Sequence, residues 1–364
     1  ASYTGEDCVE LHLHGSPHVL KECLLILIEL GAVLAEKGEF TRRAFLNGLI
    51  DLTQAEGLND LINAETEIQF QTSVAQYDGS LSDKLNLWRS EIIALLSKLE
   101  AIIDFSDEEL PQNLTSEFND KIVELIKQKR EALKFSSYAE RLKDGFIITL
   151  VGRPNVGKST LINFFSKKNT SIVTSEAGTT RDIIEVPLDF NGFPVIFNDT
   201  AGLRKAKSEA EKIGVNKALN RARVSDIILI LSDNGDFSLP KVSSRAKKIY
   251  VHTKCDLSST KKRGVYEVSV KKEIGLTELT KVISDHLKTI VPKESAFLTR
   301  QRHIQGVKKS LKALQNILKI DINTEPELAA EDLRAAAYQI GSITNIIDVE
   351  QILDDIFSNF CIGK

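Results

Sequence analysis

Phe146-Ile147-Ile148-Thr149-Leu150-Val151 is a nearly unbroken apolar run, the pattern of a strand buried on both faces. Lys158 to Lys168 then alternates apolar and polar residues with helical spacing. Shorter apolar runs recur at Pro194–Phe197 and Ile249–His252. From 145 to about 292 strands and helices alternate, which predicts a parallel sheet wound on both sides. On either side the pattern is helical. Leu81, Leu85, Trp88, Ile92, Leu95, Leu99 and Ile102 step by four and three into one apolar stripe, and a helical-bundle core explains it better than an interaction face. Pro111 and Asn113 mark a break, and Ile122, Leu125, Ile126 and Leu133 begin another helix. Helices return from Phe297 to Phe360, so the α/β domain is inserted into a helical bundle, as is tolerated when the ends of an insert lie close together. At the start, Val9 to His14 alternates like a strand and Val19 to Leu30 reads as an apolar helix. The expected division is a small α/β domain over 1–50 with its beginning absent, a helical domain over 51–143 and 293–364, and an inserted α/β domain over 144–292.

Composition changes this picture little. Charged residues at 27% and hydrophobic ones at 42% of 364 residues describe a soluble globular chain of two or three domains. A net charge of −4 carries no global nucleic-acid signature, so any RNA contact must come from a local patch. No run approaches the ~18 apolar residues of a membrane span, and no signal peptide opens the chain. Cys8, Cys23, Cys255 and Cys361 are scattered without a C-x-x-C pair, which suits a reducing cytosol and argues against structural zinc. His12, His14 and His18 sit together in sequence, but alternating histidines of this kind are ordinarily surface residues. Methionine is wholly absent, so local motifs are firmer ground than long separations.

The chemistry lies between the first strand and the helix after it. Gly152-Arg153-Pro154-Asn155-Val156-Gly157-Lys158-Ser159-Thr160 is a P-loop, G-x-x-x-x-G-K-[ST], in the strand–loop–helix setting that such a loop requires. Main-chain N–H groups and a helix N-terminus form an anion nest, and the glycines let the backbone close on phosphates. Lys158 supplies a point charge for the β and γ phosphates, and Ser159 a hydroxyl for Mg²⁺. Asn198-Asp199-Thr200-Ala201-Gly202 follows an apolar run, putting Asp199 at a strand end within reach of Mg²⁺ through water and Gly202 where its N–H can approach a γ phosphate. Gly178-Thr179-Thr180-Arg181-Asp182 offers Thr180 as a switch threonine. Thr253-Lys254-Cys255-Asp256 resembles the guanine-reading [NT]-K-x-D motif, with threonine where asparagine is usual, and Ser269-Val270-Lys271 would set its backbone beside the guanine O6. Four such pieces in order point to GTP.

One expected piece is missing. A Ras-like GTPase carries a glutamine after the D-x-x-G glycine to orient water. Leu203 occupies that position and cannot hydrogen-bond water. Asn155 and the loop from Thr174 to Thr179, with Ser175, Glu176 and Ala177, offer oxygens for a monovalent cation near the phosphates. Such a cation could act as an arginine finger does, an effect of roughly 10³–10⁵ in rate. Glu211 is a candidate for orienting water, although on its own a solvated helix glutamate is the plainer reading.

G-R-P-N-V-G-K-S-T, A-G-T-T-R-D, D-T-A-G-L-R, the stretch Gly38 to Asn47 and the terminal Phe360-Cys361-Ile362-Gly363-Lys364 together resemble the MnmE (TrmE) family of tRNA modification GTPases over nearly the whole chain. The resemblance implies a homodimer joined through N-terminal domains, with GTP hydrolysis stimulated by K⁺ and by pairing of the G domains. It implies an MnmG-like FAD partner in a heterotetramer, and addition of an aminomethyl or carboxymethylaminomethyl group at C5 of the tRNA wobble uridine. The one-carbon unit would come from a 5-formyl- or methylene-tetrahydrofolate. Carried over by motif, Asn155, Thr174, Glu176 (through its backbone) and Thr179 would hold K⁺, and Ser159 and Thr180 would hold Mg²⁺. Glu211 would position water through a relay, and Cys361 would sit near the uridine chemistry. Of the folate residues only Glu10 and Lys364 transfer. The family usually has a lysine after L-N-G, whereas Leu46-Asn47-Gly48 is followed here by Leu49, so the folate contact would be made otherwise or be weaker. Two other classes compete: a ribosome-assembly GTPase working as an RNA-binding switch, and a nucleotide-dependent dimeriser without a part in modification. The first would need an appended module such as a KH fold, and the tail from Phe297 has no G-x-x-G loop.

Overall fold

The computed structural model describes residues 2–104, 114–168, 184–199, 225–237, 246–260, 262–291 and 298–344. The chain divides into two compact units. One comprises Ala1–Asn63, Thr72–Lys134 and Ser295–Lys364, the other Ala64–Gln71 and Phe135–Glu294.

The second unit is built on a six-stranded sheet. Its strands are β1 (Phe146–Gly152), β2 (Ile184–Phe190), β3 (Phe193–Asp199), β4 (Ile227–Ser232), β5 (Lys247–Thr253) and β6 (Val265–Val268), in the order β2-β3-β1-β4-β5-β6. All neighbours are parallel except the β2–β3 hairpin, which turns at Asn191 and Gly192, both with positive φ. β4 is buried along its whole length, which explains why Ile-Ile-Leu-Ile-Leu shows no alternation. The helix α7 (Lys158–Lys168) is held on the sheet by Phe165, whose ring lies 5.2 Å from Phe190 and 5.3 Å from Phe197. Truncating a buried phenylalanine of this kind costs about 3–5 kcal/mol, so the helix that follows the P-loop is firmly seated. At the other end of the sheet Asp226 accepts from the Ile147 N–H at 2.8 Å and faces Arg141 at 3.3 Å, which ties the strand starts together.

The first unit is helical among its described residues: α1 (Pro17–Glu29), α2 (Glu39–Leu46), α3 (Leu52–Ile62), most of α4 (Glu67–Tyr77), α5 (Ser80–Asp104), most of α6 (Leu114–Asp144), α9 (Gln301–Ile317) and α10 (Pro326–Thr344); α8 (Leu276–Ile290) belongs to the α/β unit. α3 starts on a capping box: Asp51 accepts from the Gln54 N–H and Gln54 from the Asp51 N–H, each at 3.0 Å. The stripe on α5 is core. Leu81, Leu85, Trp88, Ile92, Leu95 and Leu99 are buried against Phe118, Ile122, Leu125 and Ile126 of α6 and against α9 and α10. α3 and α9 are joined by a buried polar cluster. Arg302 grips Glu56 through two hydrogen bonds of 2.8 and 2.7 Å, and His303 Nε2 meets the same carboxylate at 2.8 Å. His303 Nδ1 accepts from the Arg300 N–H, so the imidazole is neutral and donates from Nε2. Burial, which pushes the His303 pKa down, agrees with that state. Burial works to raise the Glu56 pKa, yet the Arg302 charge and the two donors hold it well below the usual carboxylate range.

The alternating segment Val9 to His14 is not a strand. It is irregular and exposed, with no hydrogen-bonded neighbour strand among the described residues. Alternation fits a strand only when a second strand takes up the main-chain donors, and here none does. The break at Pro111 and Asn113 lies outside the described residues. Among the described residues no helix is long and apolar enough to cross a membrane.

Candidate functional site

β1 ends at Gly152, where a Cβ would stand 2.6 Å from the Leu231 carbonyl oxygen, so only glycine lets β1 and β4 run this close. The loop then turns through Asn155, at φ 61, and Gly157, at φ 101, into the first turn of α7. Positive φ at Asn155 and Gly157, with Val156 of the opposite sign between them, aims main-chain N–H groups to one side and forms an anion nest at a helix N-terminus. Val156 is the loop's anchor, 1% exposed and packed in the core under the sheet. Lys158 Nζ donates to the carbonyls of Gly152 at 2.7 Å and Arg153 at 3.0 Å, arching over the loop with its stem buried. Ser159 and Thr160 open α7 with exposed side chains.

The second half of the site is wired to the first. Thr253, at the end of β5, donates its hydroxyl to the Val156 carbonyl at 2.6 Å. Lys254, at φ 56, donates to the Asn155 carbonyl at 2.9 Å and to Asp233 at 2.8 Å. The Cys255 N–H donates to the Val268 carbonyl at 3.2 Å, holding the loop against β6. Asp256 is exposed, and a hydrogen bond from Ser269, with lesser help from Lys271 and Lys272, holds its carboxyl below the ordinary range. Ser269 is itself buried and pairs with Ile274 through two main-chain bonds of 3.0 Å, which closes the turn carrying Val270 and Lys271. Asp256 is thus an acceptor-only carboxylate at the mouth of the site, the chemistry needed to receive two N–H donors from one base edge.

The structure therefore brings together Asn155, Val156, Gly157, Lys158, Ser159 and Thr160 with Thr253, Lys254, Asp256, Ser269, Val270 and Lys271 at one end of the sheet. The Asp199 main chain ends β3 in register with Leu150 on β1. Thr174, Ser175, Glu176, Ala177, Gly178, Thr179, Thr180, Thr200, Ala201, Gly202, Leu203, Glu211, Cys361 and Lys364 lie outside the described residues. Glu10 is exposed on this irregular segment, 3.6 Å from His12. Sequence reasoning missed Asp233, which shares Lys254 with the P-loop. Its place directly after the apolar β4 run, on the edge that carries the other loops, was the available signal. It also missed the Ser269 side chain, which lowers the Asp256 pKa.

Comparison with known proteins extends this geometry. The family model described as the MnmE helical domain matches residues 52–361, and that of the GTP-binding protein TrmE N-terminus matches residues 1–49. A tRNA modification GTPase MnmE of Cereibacter sphaeroides is 40% identical over 368 aligned positions, covering 100% of this chain and 85% of that protein. Its counterpart in Maricaulis maris is 42% identical over 372 positions, covering 100% and 84%. Among solved structures, the G domain of the T. maritima FeoB iron transporter aligns with a TM-score of 0.29 and 23% identity over 39% of this chain and 98% of that one.

Proposed function

The chain belongs to the MnmE family of tRNA modification GTPases, and from that premise we propose that it is a K⁺-activated GTPase whose cycle drives modification of the wobble uridine at C5. It hydrolyses GTP in the service of tRNA modification. The observation that carries the nucleotide half of the reading is the wiring of the phosphate loop to the base-reading loop through Thr253 and Lys254.

In this reading Lys158, steadied by the Gly152 and Arg153 carbonyls, faces the β and γ phosphates, and the nest around Asn155 and Gly157 cradles them. Asp256, kept ionised beside Ser269, accepts from the guanine edge. Ser159, exposed at the start of α7, suits a magnesium–nucleotide complex; with Thr180 it would hold Mg²⁺, which when bound neutralises charge between the β and γ phosphates. Asn155, with Thr174, the Glu176 backbone and Thr179, would hold K⁺, which supplies further positive charge there. Leu203 leaves the orientation of water to Glu211 acting through a relay. Cys361 would work close to the uridine.

An MnmG-like flavoprotein partner, a homodimer and a cytoplasmic setting complete the reading. Support for association through the N-terminal segment comes from α1, none of whose residues is buried although it carries Leu20, Leu24, Leu25, Ile26 and Ile28. A tetrahydrofolate as one-carbon donor rests on the family resemblance. The test is reconstitution with the flavoprotein, undermodified tRNA, GTP and a folate. A C5-modified uridine that depends on GTP and is lost in Cys361→Ser is the expected product, and unmodified tRNA under all conditions refutes the reading.

A further inference from the structure

The described face of α9 that points away from the core is cationic and carries no carboxylate of its own. From Thr299 to Ile320 the sequence contains no aspartate or glutamate. At about 100° per residue, Gln301, Gln305, Lys308, Lys312 and Gln315 fall within an arc of roughly 80°. His303, Val307, Ser310, Leu314 and Ile317 occupy the opposite arc and are all buried. Lys308, Lys309 and Lys312 are exposed, and Lys319 continues the line in the turn after the helix. Among the described residues none of these four lysines has an ion-pair partner. The line closes where carboxylates resume, at Asp321 and at Asp332, which is hydrogen-bonded to Asn316.

A chain with net charge −4 that keeps one helix face free of acids has set that face apart electrostatically. We infer that the Gln301–Lys319 face of α9 is a docking surface for the phosphate backbone of RNA. The inference rests on the tRNA-modifying reading above and gives it a location. Lys308 and Lys312 are one helical turn apart, roughly 6 Å, close to the separation of successive phosphates along a strand. The glutamines between them add donors and acceptors for phosphate and 2′-hydroxyl groups, which suits recognition by shape and backbone. A membrane surface is the poorer fit, because an interfacial helix needs large apolar side chains beside its lysines; the arc holding Lys308 and Lys312 has none, and Leu318, exposed beside Lys319, stands alone.

The test is binding of unmodified tRNA to the full chain across a salt series. It compares wild type, Lys308→Gln/Lys312→Gln, and a control of equal charge loss on α8, Lys281→Gln/Lys288→Gln. Both variants should keep GTP turnover without RNA within twofold. The α9 variant should bind at least tenfold more weakly at low salt. Its slope of log affinity against log salt should fall by roughly 1.5, as expected for two lost phosphate contacts. The control should stay within twofold of wild type. Wild-type binding with an unchanged α9 variant, or an equal loss in the control, overturns the inference and leaves the tRNA reading standing. No tRNA binding by wild type overturns both. Loss of binding to phosphatidylserine vesicles with tRNA binding intact would assign the face to a membrane and overturn the inference.

Discussion

The hydroxyl of Thr253 lies 2.6 Å from the carbonyl oxygen of Val156, so the residue that opens the base-reading loop holds the phosphate loop directly. Both groups are buried. Threonine at this position therefore keeps a hydrogen-bond donor where the commoner asparagine would place its amide. Thr253→Val keeps the shape and removes the donor, leaving a buried carbonyl unsatisfied at a cost of about 1–3 kcal/mol. Guanine nucleotide binding, followed with a fluorescent GDP, should weaken about tenfold. Thr253→Asn should stay within about threefold of wild type. Unchanged affinity in the valine variant would mean the two loops hold their places independently.

Asp256 gives a test of base choice. Its carboxylate, held below the ordinary pKa range by Ser269, can only accept hydrogen bonds, as a guanine edge requires. Asp256→Asn replaces one acceptor by a donor, so preference should move from GTP towards xanthosine triphosphate. Competition between the two nucleotides measures the shift. Undiminished GTP selectivity in the variant would refute the assignment of Thr253 to Asp256.

Asn155 allows the cation proposal to be separated from the loop's backbone geometry. Its φ of 61 is tolerated by asparagine and costs glycine nothing, and its main-chain carbonyl, not its side chain, accepts from Lys254. Asn155→Gly should keep both and delete only the side-chain oxygen. Wild-type turnover of GTP should rise severalfold when Na⁺ is replaced by K⁺, and Asn155→Gly should lose that difference with nucleotide affinity kept within about threefold. Equal wild-type rates in the two salts would remove the role given to Asn155.

The part of the α/β unit around the P-loop was legible because its signals are local, whereas β2, β4, β6 and the antiparallel β2–β3 pairing were not. An apolar run, a glycine-bracketed loop and a helical period fix β1, the P-loop and α7 without any knowledge of the remainder. The α5 stripe was legible for the same reason, since Leu81 through Leu99 share one face and that face is core. What escaped was side-chain pairing across long separations. Glu56 meets His303 and Arg302 nearly 250 positions later, and no spacing rule announces it. Val9 to His14 misled because alternation records amphipathicity and carries no information about a partner strand.

Lys129 was invisible to sequence reading and makes the sharpest stability prediction. Its side chain is fully buried between α5 and α6, and its Nζ has no hydrogen-bond partner. It stands 4.5 Å from the centre of the Trp88 ring, with Lys84 Nζ 5.8 Å from the same ring. Burial lowers its pKa from 10.5 to about 7, against an opposing pull from Glu91. At about 1.4 kcal/mol per unit, that displacement is a cost of roughly 5 kcal/mol for keeping the ammonium at low pH. The indole face returns about 2 kcal/mol of it. The folded state binds fewer protons than the unfolded state between the two pKa values, so this cost is present in full below pH 7 and fades as the pH rises towards 10.5. Lys129→Met fills the same space without the charge and should stabilise the helical unit by about 2–3 kcal/mol at pH 7. The gain should shrink towards zero near pH 10. Urea unfolding followed by Trp88, the chain's single tryptophan, reads both values in one series. A variant no more stable than wild type at pH 7, or a gain that does not vary with pH, would show that Lys129 keeps its charge at no cost.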